Sequence, residues 1–241
     1  RTSQTMRRCL CADRSRGVCG VIVERLRQNF GRYWRRLSGE KARVRGRAQA
    51  EFDAAVADLG PDDVAIDLGA NVGLFTLLMA ERGCAVYAFE KDPYAFERLQ
   101  ETVAPFDNVH LIAAAAGAEA GQFRLFRHRD FASSPERRTT ASSIVEGKRH
   151  MDEGNFILVE VKDFVQFLRE LNRPVKLLKI DIEGAEVALL ERLLNEPECA
   201  LIDRIFVETH ERVLIQLAPR TRALKLRAAQ MAKPTINWDW H

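Results

Sequence analysis

Long apolar runs are missing from this chain. Nowhere do 18 hydrophobic residues follow one another, and the longest apolar stretches have the length of buried strands, which excludes a membrane-spanning helix. Metal-binding cysteine pairs are missing too: Cys9, Cys11 and Cys19 cluster near the start, but their spacing fits none of the paired zinc patterns. Cys84 and Cys199 lie in apolar contexts and read as small core residues. An odd total of five cysteines without a secretory hydrophobic region argues against a disulfide scaffold and for a reducing compartment, most simply the cytoplasm.

Net charge is small, +3, but unevenly spread. Arg1–Gln49 holds 14 Lys and Arg against 3 Asp and Glu, and the remaining residues carry a net −8. An acidic body without an aromatic-basic motif offers a phosphate backbone little, so no nucleic-acid partner is expected unless the tail supplies the attraction. The tail reads either as a solvated face or as a segment drawn to acidic lipid or an acidic partner. The chain starts at Arg1 and its first methionine is Met6, so the opening residues are expected to be a fragment, a translation artefact or an Arg-rich targeting segment.

At 46% hydrophobic, the chain has enough apolar material for one buried core. The expected division is a basic extension over 1–49 and a catalytic-sized domain over 50–241. In the extension, Ile22, Leu26, Phe30, Tyr33, Trp34 and Leu37 recur at helical spacing with arginines between them. Such an amphipathic helix suits peripheral membrane contact, packing on the domain, or capping its cleft. A basic linker through Arg47 and a short helix over Phe52–Leu59 follow, stopped by Gly60 and Pro61.

Beyond that proline, short apolar runs alternate with amphipathic segments: Val64–Leu68, Leu74–Arg82, Ala85–Phe89, Tyr94–Val103 and Val109–Ala113. Strands alternating with helices predict an α/β fold, a Rossmann-like, doubly wound, mostly parallel sheet. Strands over Gln122–Phe126 and Phe156–Val161 flank a polar stretch, Arg127–Asn155, expected to be a substrate lid or an exposed loop. The alternation resumes with a helix over Phe164–Leu171, a strand over Val175–Ile180, a helix over Ala185–Leu194 and a strand over Leu201–Val207. A helix over Arg220–Ala232 and a last strand over Thr235–Trp240 complete it.

The first strand delivers Asp67 to a glycine-bearing turn, Gly69-Ala70-Asn71-Val72-Gly73, at the start of a helix. Such a turn brings backbone close to a ligand and leaves helix-start amides as donors. Glu90 ends the second strand, where a carboxylate can accept both hydrogen bonds of a ribose diol. A dinucleotide turn would carry a glycine where Asn71 stands, so pyrophosphate is disfavoured, and with it an NAD-dependent oxidoreductase.

Asp67 to Gly73, Phe89-Glu90, the segment Leu178-Lys179-Ile180-Asp181-Ile182-Glu183-Gly184-Ala185-Glu186 and the ending Asn237-Trp238-Asp239-Trp240-His241 together resemble the FkbM family of methyltransferases. The resemblance runs from about Val64 to His241. It implies a class I methyltransferase fold, S-adenosylmethionine as cofactor, and methyl transfer to a hydroxyl oxygen of a small-molecule acceptor such as a polyketide or a sugar. Cofactor contacts are then expected from Asp67, Gly69, Ala70, Asn71, Gly73, Glu90, Lys91, Ala115 and Asp181, with Asp67 facing the ligand's amino-acid end directly or through water.

Asp181 follows the Val175 strand at the sheet edge where ligands of open α/β folds sit, so it is expected to border the transferred methyl. Glu183 and Glu186 follow, and an acidic helix start accounts for Glu186 through the dipole alone. Glu208 and His210 end the next strand, and His210 is the candidate general base. A divalent ion held by Asp181, Glu208 and His210 is left open. So is a non-catalytic S-adenosylmethionine-binding protein docked through its basic N-terminus.

Overall fold

The computed structural model describes residues 39–128 and 151–240. The amphipathic helix expected from Ile22, the cysteine cluster and most of the expected lid fall outside them. A first helix, α1 (Gly39–Ala57), leads into strand β1 (Val64–Leu68). Its length corrects the expectation of a basic linker followed by a short helix. Between Glu40 and Ala57 the residues are largely Ala, Arg, Glu and Gln, strong helix formers, so the basic stretch continues the helix.

The chain continues through α2 (Leu74–Ala80), β2 (Ala85–Phe89), α3 (Pro93–Val103), β3 (Val109–Ile112) and β4 (Ala115–Gly117). Then come β5 (Gly121–His128), β6 (Met151–Asp163), α4 (Phe164–Leu171), β7 (Val175–Ile180), α5 (Glu186–Leu193), β8 (Ile202–Val207), α6 (Ala218–Ala228) and β9 (Thr235–Asn237). Local chemistry sets several of these boundaries. Asp92 caps α3 by accepting from the amides of Tyr94 and Ala95, with Pro93 in the first turn, and Asp163 caps α4 by accepting from Gln166.

Six strands form one parallel sheet in the order β3-β2-β1-β7-β8-β9. The chain builds outward from β1 to β3 on one side and then returns to add β7 on the other. The carboxyl ends of β1 and β7 therefore flank the switch point, where an open α/β sheet leaves a crevice. All five residues of β1 are buried, as a central parallel strand covered on both faces requires.

A second, three-stranded sheet has the order β4-β6-β5, with β6 parallel to β4 and antiparallel to β5. The β5–β6 pairing extends to His128 and Met151, so both ends of the expected lid are strand; 129–150 lie outside the described residues. Strand β4 has no counterpart among the strands expected from the sequence. Its residues, Ala-Ala-Gly, carry no β-branched signal, and a side chain at position 117 would come within 2.5 Å of Val161 Cγ1.

The core has two main parts. One gathers β1, β7, β8, α4 and α5 around Leu68, Phe164, Leu178 and Ile205. The other is built on aromatics: Phe52 packs edge-on against Phe75 and Phe206, and lies 5.1 Å from the Trp240 ring, with Phe52 and Trp240 both buried. Phe52→Ala should therefore lower the unfolding free energy by about 3–5 kcal/mol, measured by urea denaturation of the full chain.

Candidate active site

The turn after β1 is shaped by its own chain. Gly69, Asn71 and Gly73 all take positive φ values, 79°, 50° and 93°. A Cβ on Gly69 would stand 1.9 Å from the carbonyl oxygen of Asp181, so the turn and the end of β7 are in direct contact. The amides of Gly69 and Ala70 both donate to the Phe89 carbonyl, Asn71 donates to Glu90 Oε2 at 2.8 Å, and Gly73 donates to the Ala70 carbonyl. These four amides are thus committed internally. Of these four, only Gly73 belongs to the helix start, where the donors for a ligand are expected.

Asp67 lies beneath this turn rather than facing the crevice. It is fully buried, with Lys179 Nζ 3.0 Å from Oδ1 and the Thr76 hydroxyl donating to Oδ2 at 2.7 Å. Oδ1 has this ion pair and no hydrogen bond among the described residues. Lys179 also donates to the carbonyl of Gly69 at 2.7 Å. Burial alone would lower its pKa, but Asp67 and Asp181 outweigh burial and raise it, so the ammonium stays charged.

Glu90 is almost wholly buried and accepts one backbone amide on each oxygen, from Asn71 and Asp92. A carboxylate has about four acceptor directions, so lone pairs remain for a further partner. It lines, with Lys91, Tyr94, Phe96, Ala113 and Leu158, a cavity of about 570 Å³. A narrower recess beside it is walled by Gly69, Phe89, Lys91, Ala115 and Ile182. Gly69, Lys91, Glu90 and Ala115 thus come together along one side of the crevice, with Ala70 buried in the turn between them.

The other side carries the carboxylates. Asp181 follows β7, its amide donating to the Leu68 carbonyl, and Oδ1 is shielded from solvent with no hydrogen bond. Glu183 is held at φ 60° before Gly184 at 111°. Glu186 is fully buried and bridges two segments: Oε2 accepts from the Gly184 amide at 2.7 Å, and Oε1 accepts the His210 backbone amide at 2.9 Å and faces Nδ1 at 3.1 Å. The dipole explanation of Glu186 is therefore insufficient. Its charge fixes His210.

His210 Nε2 lies 3.4 Å from Glu183 Oε2, so each ring nitrogen faces a carboxylate. Burial would lower the imidazole pKa, but the Glu186 hydrogen bond and the Glu183 and Asp181 charges outweigh it and push it up to about 9. These surroundings favour the protonated ring, which donates to its two carboxylates. Glu208 moves the other way from a usual acid: burial and the neighbouring Asp181 charge raise it to about 7, against the pull of His210 and Lys179. Among the described residues, the group able to hold a metal ion is Asp181, Glu183 and His210, with ligand atoms within 4.8 Å of one another. Glu183 takes the place expected for Glu208.

The family model for the methyltransferase FkbM domain matches residues 67–217, which span the turn, Glu90, the carboxylate cluster and His210. The chain belongs to the FkbM methyltransferase family. It is 28% identical over 171 residues to Methyltransferase 1 of Beauveria bassiana, covering 64% of this chain and 67% of that protein. It is 28% identical over 181 residues to Methyltransferase sdnD of Sordaria araneosa, covering 65% and 70%. A shorter match, 40% over 63 residues, links it to ribosomal RNA small subunit methyltransferase A of Moorella thermoacetica, covering 26% of this chain and 22% of that protein.

For this FkbM methyltransferase the raised His210 pKa makes a sign-definite prediction. The native state keeps a proton that the unfolded chain, near 6.5, has released, so this stabilisation is complete below pH 6.5 and is lost as pH rises through about 9. Urea unfolding between about pH 7 and 9 should show falling stability. Glu186→Gln, which keeps the shape and removes the charge, should flatten that fall.

Proposed function

We propose that this methyltransferase takes its methyl group from S-adenosylmethionine and transfers it to a hydroxyl oxygen of a small metabolite, a sugar, a polyketide or a molecule of that kind. The observation that carries this reading is the switch-point turn beside Glu90. Asn71 stands where a dinucleotide turn carries a glycine, which disfavours pyrophosphate, while Glu90 keeps acceptor capacity for a ribose diol next to an open cavity.

The residues present fit such a cofactor. Glu90 would hold the ribose, and Lys91, Ala115 and the Gly69 turn would wall the nucleoside. Asn71 Oδ1 and Asp181 Oδ1 are both shielded from solvent and make no hydrogen bond among the described residues. Two unsatisfied acceptors flanking the crevice suit a cationic amino group, which would relieve the desolvation penalty. When bound, S-adenosylmethionine supplies an electrophilic methyl on a sulfonium.

What remains for the protein itself is to align the acceptor, exclude water and remove a proton. Glu208, whose carboxyl is raised to about 7 by burial and the Asp181 charge, is the group suited to take the hydroxyl proton. His210 is suited to holding the carboxylate side in place, through its positive charge between Glu183 and Glu186. The acceptor is read as a small molecule, and the reaction as cytoplasmic. Among the described residues no helix is long and apolar enough to cross a membrane.

Isothermal titration should show S-adenosylmethionine and S-adenosylhomocysteine binding with NAD excluded, and Glu90→Gln should weaken both by about tenfold or more, as expected when a charged hydrogen-bond acceptor is lost. Binding of NAD alone, or of none of the three, would overturn the reading. On an acceptor found by screening, kcat/KM should rise with pH through about 7, and Glu208→Gln should lower kcat by about a hundredfold to ten-thousandfold.

A further inference from the structure

Lys179 is a buried cation that the reaction outlined above does not use. It sits in β7, directly opposite Asp67 in the register of the parallel pair. Its side chain is 2% exposed. The ammonium has three donors, and the structure supplies three oxygens: Asp67 Oδ1 at 3.0 Å, the Gly69 carbonyl at 2.7 Å and the Leu68 carbonyl at 3.4 Å. The Phe75 ring lies on its remaining side, 5.5 Å from Nζ to the centroid.

A buried ion pair is rarely the most stable filling for a core position, since apolar residues of similar volume usually do as well or better. Its location gives a reason for it. The turn after β1 is tied at four places: its first amides to Phe89, its Asn71 amide to Glu90, its Gly69 carbonyl to Lys179, and its Val72 carbonyl to the Thr102 hydroxyl in α3. The first two ties hold the turn to β2. Lys179 is the tie to β7, the strand that ends at Asp181. Gly69 and Asp181 are also in contact, with no room even for a Cβ between them. Small movements of the Gly69 carbonyl therefore change the spacing between the two sides of the crevice.

We propose that Lys179 is a positioning residue, whose ammonium fixes the Gly69 carbonyl to β7 and so sets the separation between the cofactor turn and Asp181. The inference rests on the S-adenosylmethionine reading only for its consequence in binding; its structural part stands on the turn itself. Asp67 is the counter-charge that lets the ammonium remain buried, and Thr76 holds Asp67 in that role.

The test uses the full chain with Lys179→Met/Asp67→Leu, which removes both charges and leaves neither alone in the core, and Lys179→Arg, which keeps the charge but replaces a compact ammonium by a wider planar head. Two readouts are taken: hydrogen exchange of the amides over 69–73, and affinity for S-adenosylhomocysteine by titration. Both variants should melt cooperatively, exchange faster over 69–73 than the wild type with α5 and β8 unchanged, and bind S-adenosylhomocysteine about tenfold to a hundredfold more weakly, the scale of a sub-ångström misplacement. Wild-type exchange over 69–73 in either folded variant would overturn the proposal, as would faster exchange spread evenly over the sheet. If the wild type itself fails to bind S-adenosylhomocysteine, the cofactor reading fails, and exchange over 69–73 still decides the role of Lys179. Should the double variant not fold, Lys179→Arg carries the same decision.

Discussion

The pairing of β1 with β7 is the constraint on which the site depends. A parallel sheet that grows from β1 to β3 and then restarts on the opposite side must bring two carboxyl ends together without an intervening connection. In this chain those ends are Leu68-Gly69 and Ile180-Asp181, joined by a hydrogen bond from the Asp181 amide to the Leu68 carbonyl. Below that junction, Asp67 and Lys179 face each other across the register and are both sealed from water. The Glu90 side and the carboxylate side thus meet at one junction.

Charge organises the rest. On the carboxylate side, Asp181, Glu183, Glu186 and Glu208 converge around His210, with Glu186 fully buried and the other three half-buried. Crowded acids raise one another's pKa and raise that of any base placed among them. Those surroundings push the His210 imidazole up to about 9 and the Glu208 carboxyl up to about 7. Neither shift is visible in the sequence, because the neighbours that cause it come from different elements.

Legibility in the sequence follows the range of the interactions involved. Strands β1, β2 and β7 read clearly because a central parallel strand is a short, nearly continuous apolar run, and Asp92-Pro93 marks the start of α3 through local capping. Strand β4 is silent, since three small residues announce nothing about a neighbour such as Val161. The extent of α1 is hidden by its arginines, which look like a linker although arginine is a good helix former. At the site, the turn and Glu90 are local features of strand ends. Glu186 is not: its partner, His210, is 24 residues away and reaches it only once α5 and β8 have packed. Lys179 likewise appears, with Lys176, as a polar residue inside an otherwise apolar strand, an anomaly that signals a partner without identifying it.

The contact between Gly69 and Asp181 also bears on how such a protein can diversify. Position 69 admits no side chain at all, so mutation cannot reshape the crevice from there, and the floor shared by both half-sites is closed to variation. New selectivity must be acquired at the rim, where Leu158 on the second sheet lines the cavity, is exposed and can change without disturbing the junction. The fold separates an unyielding floor from an adaptable periphery, so one arrangement of strands can be retained while the molecules it accepts are exchanged.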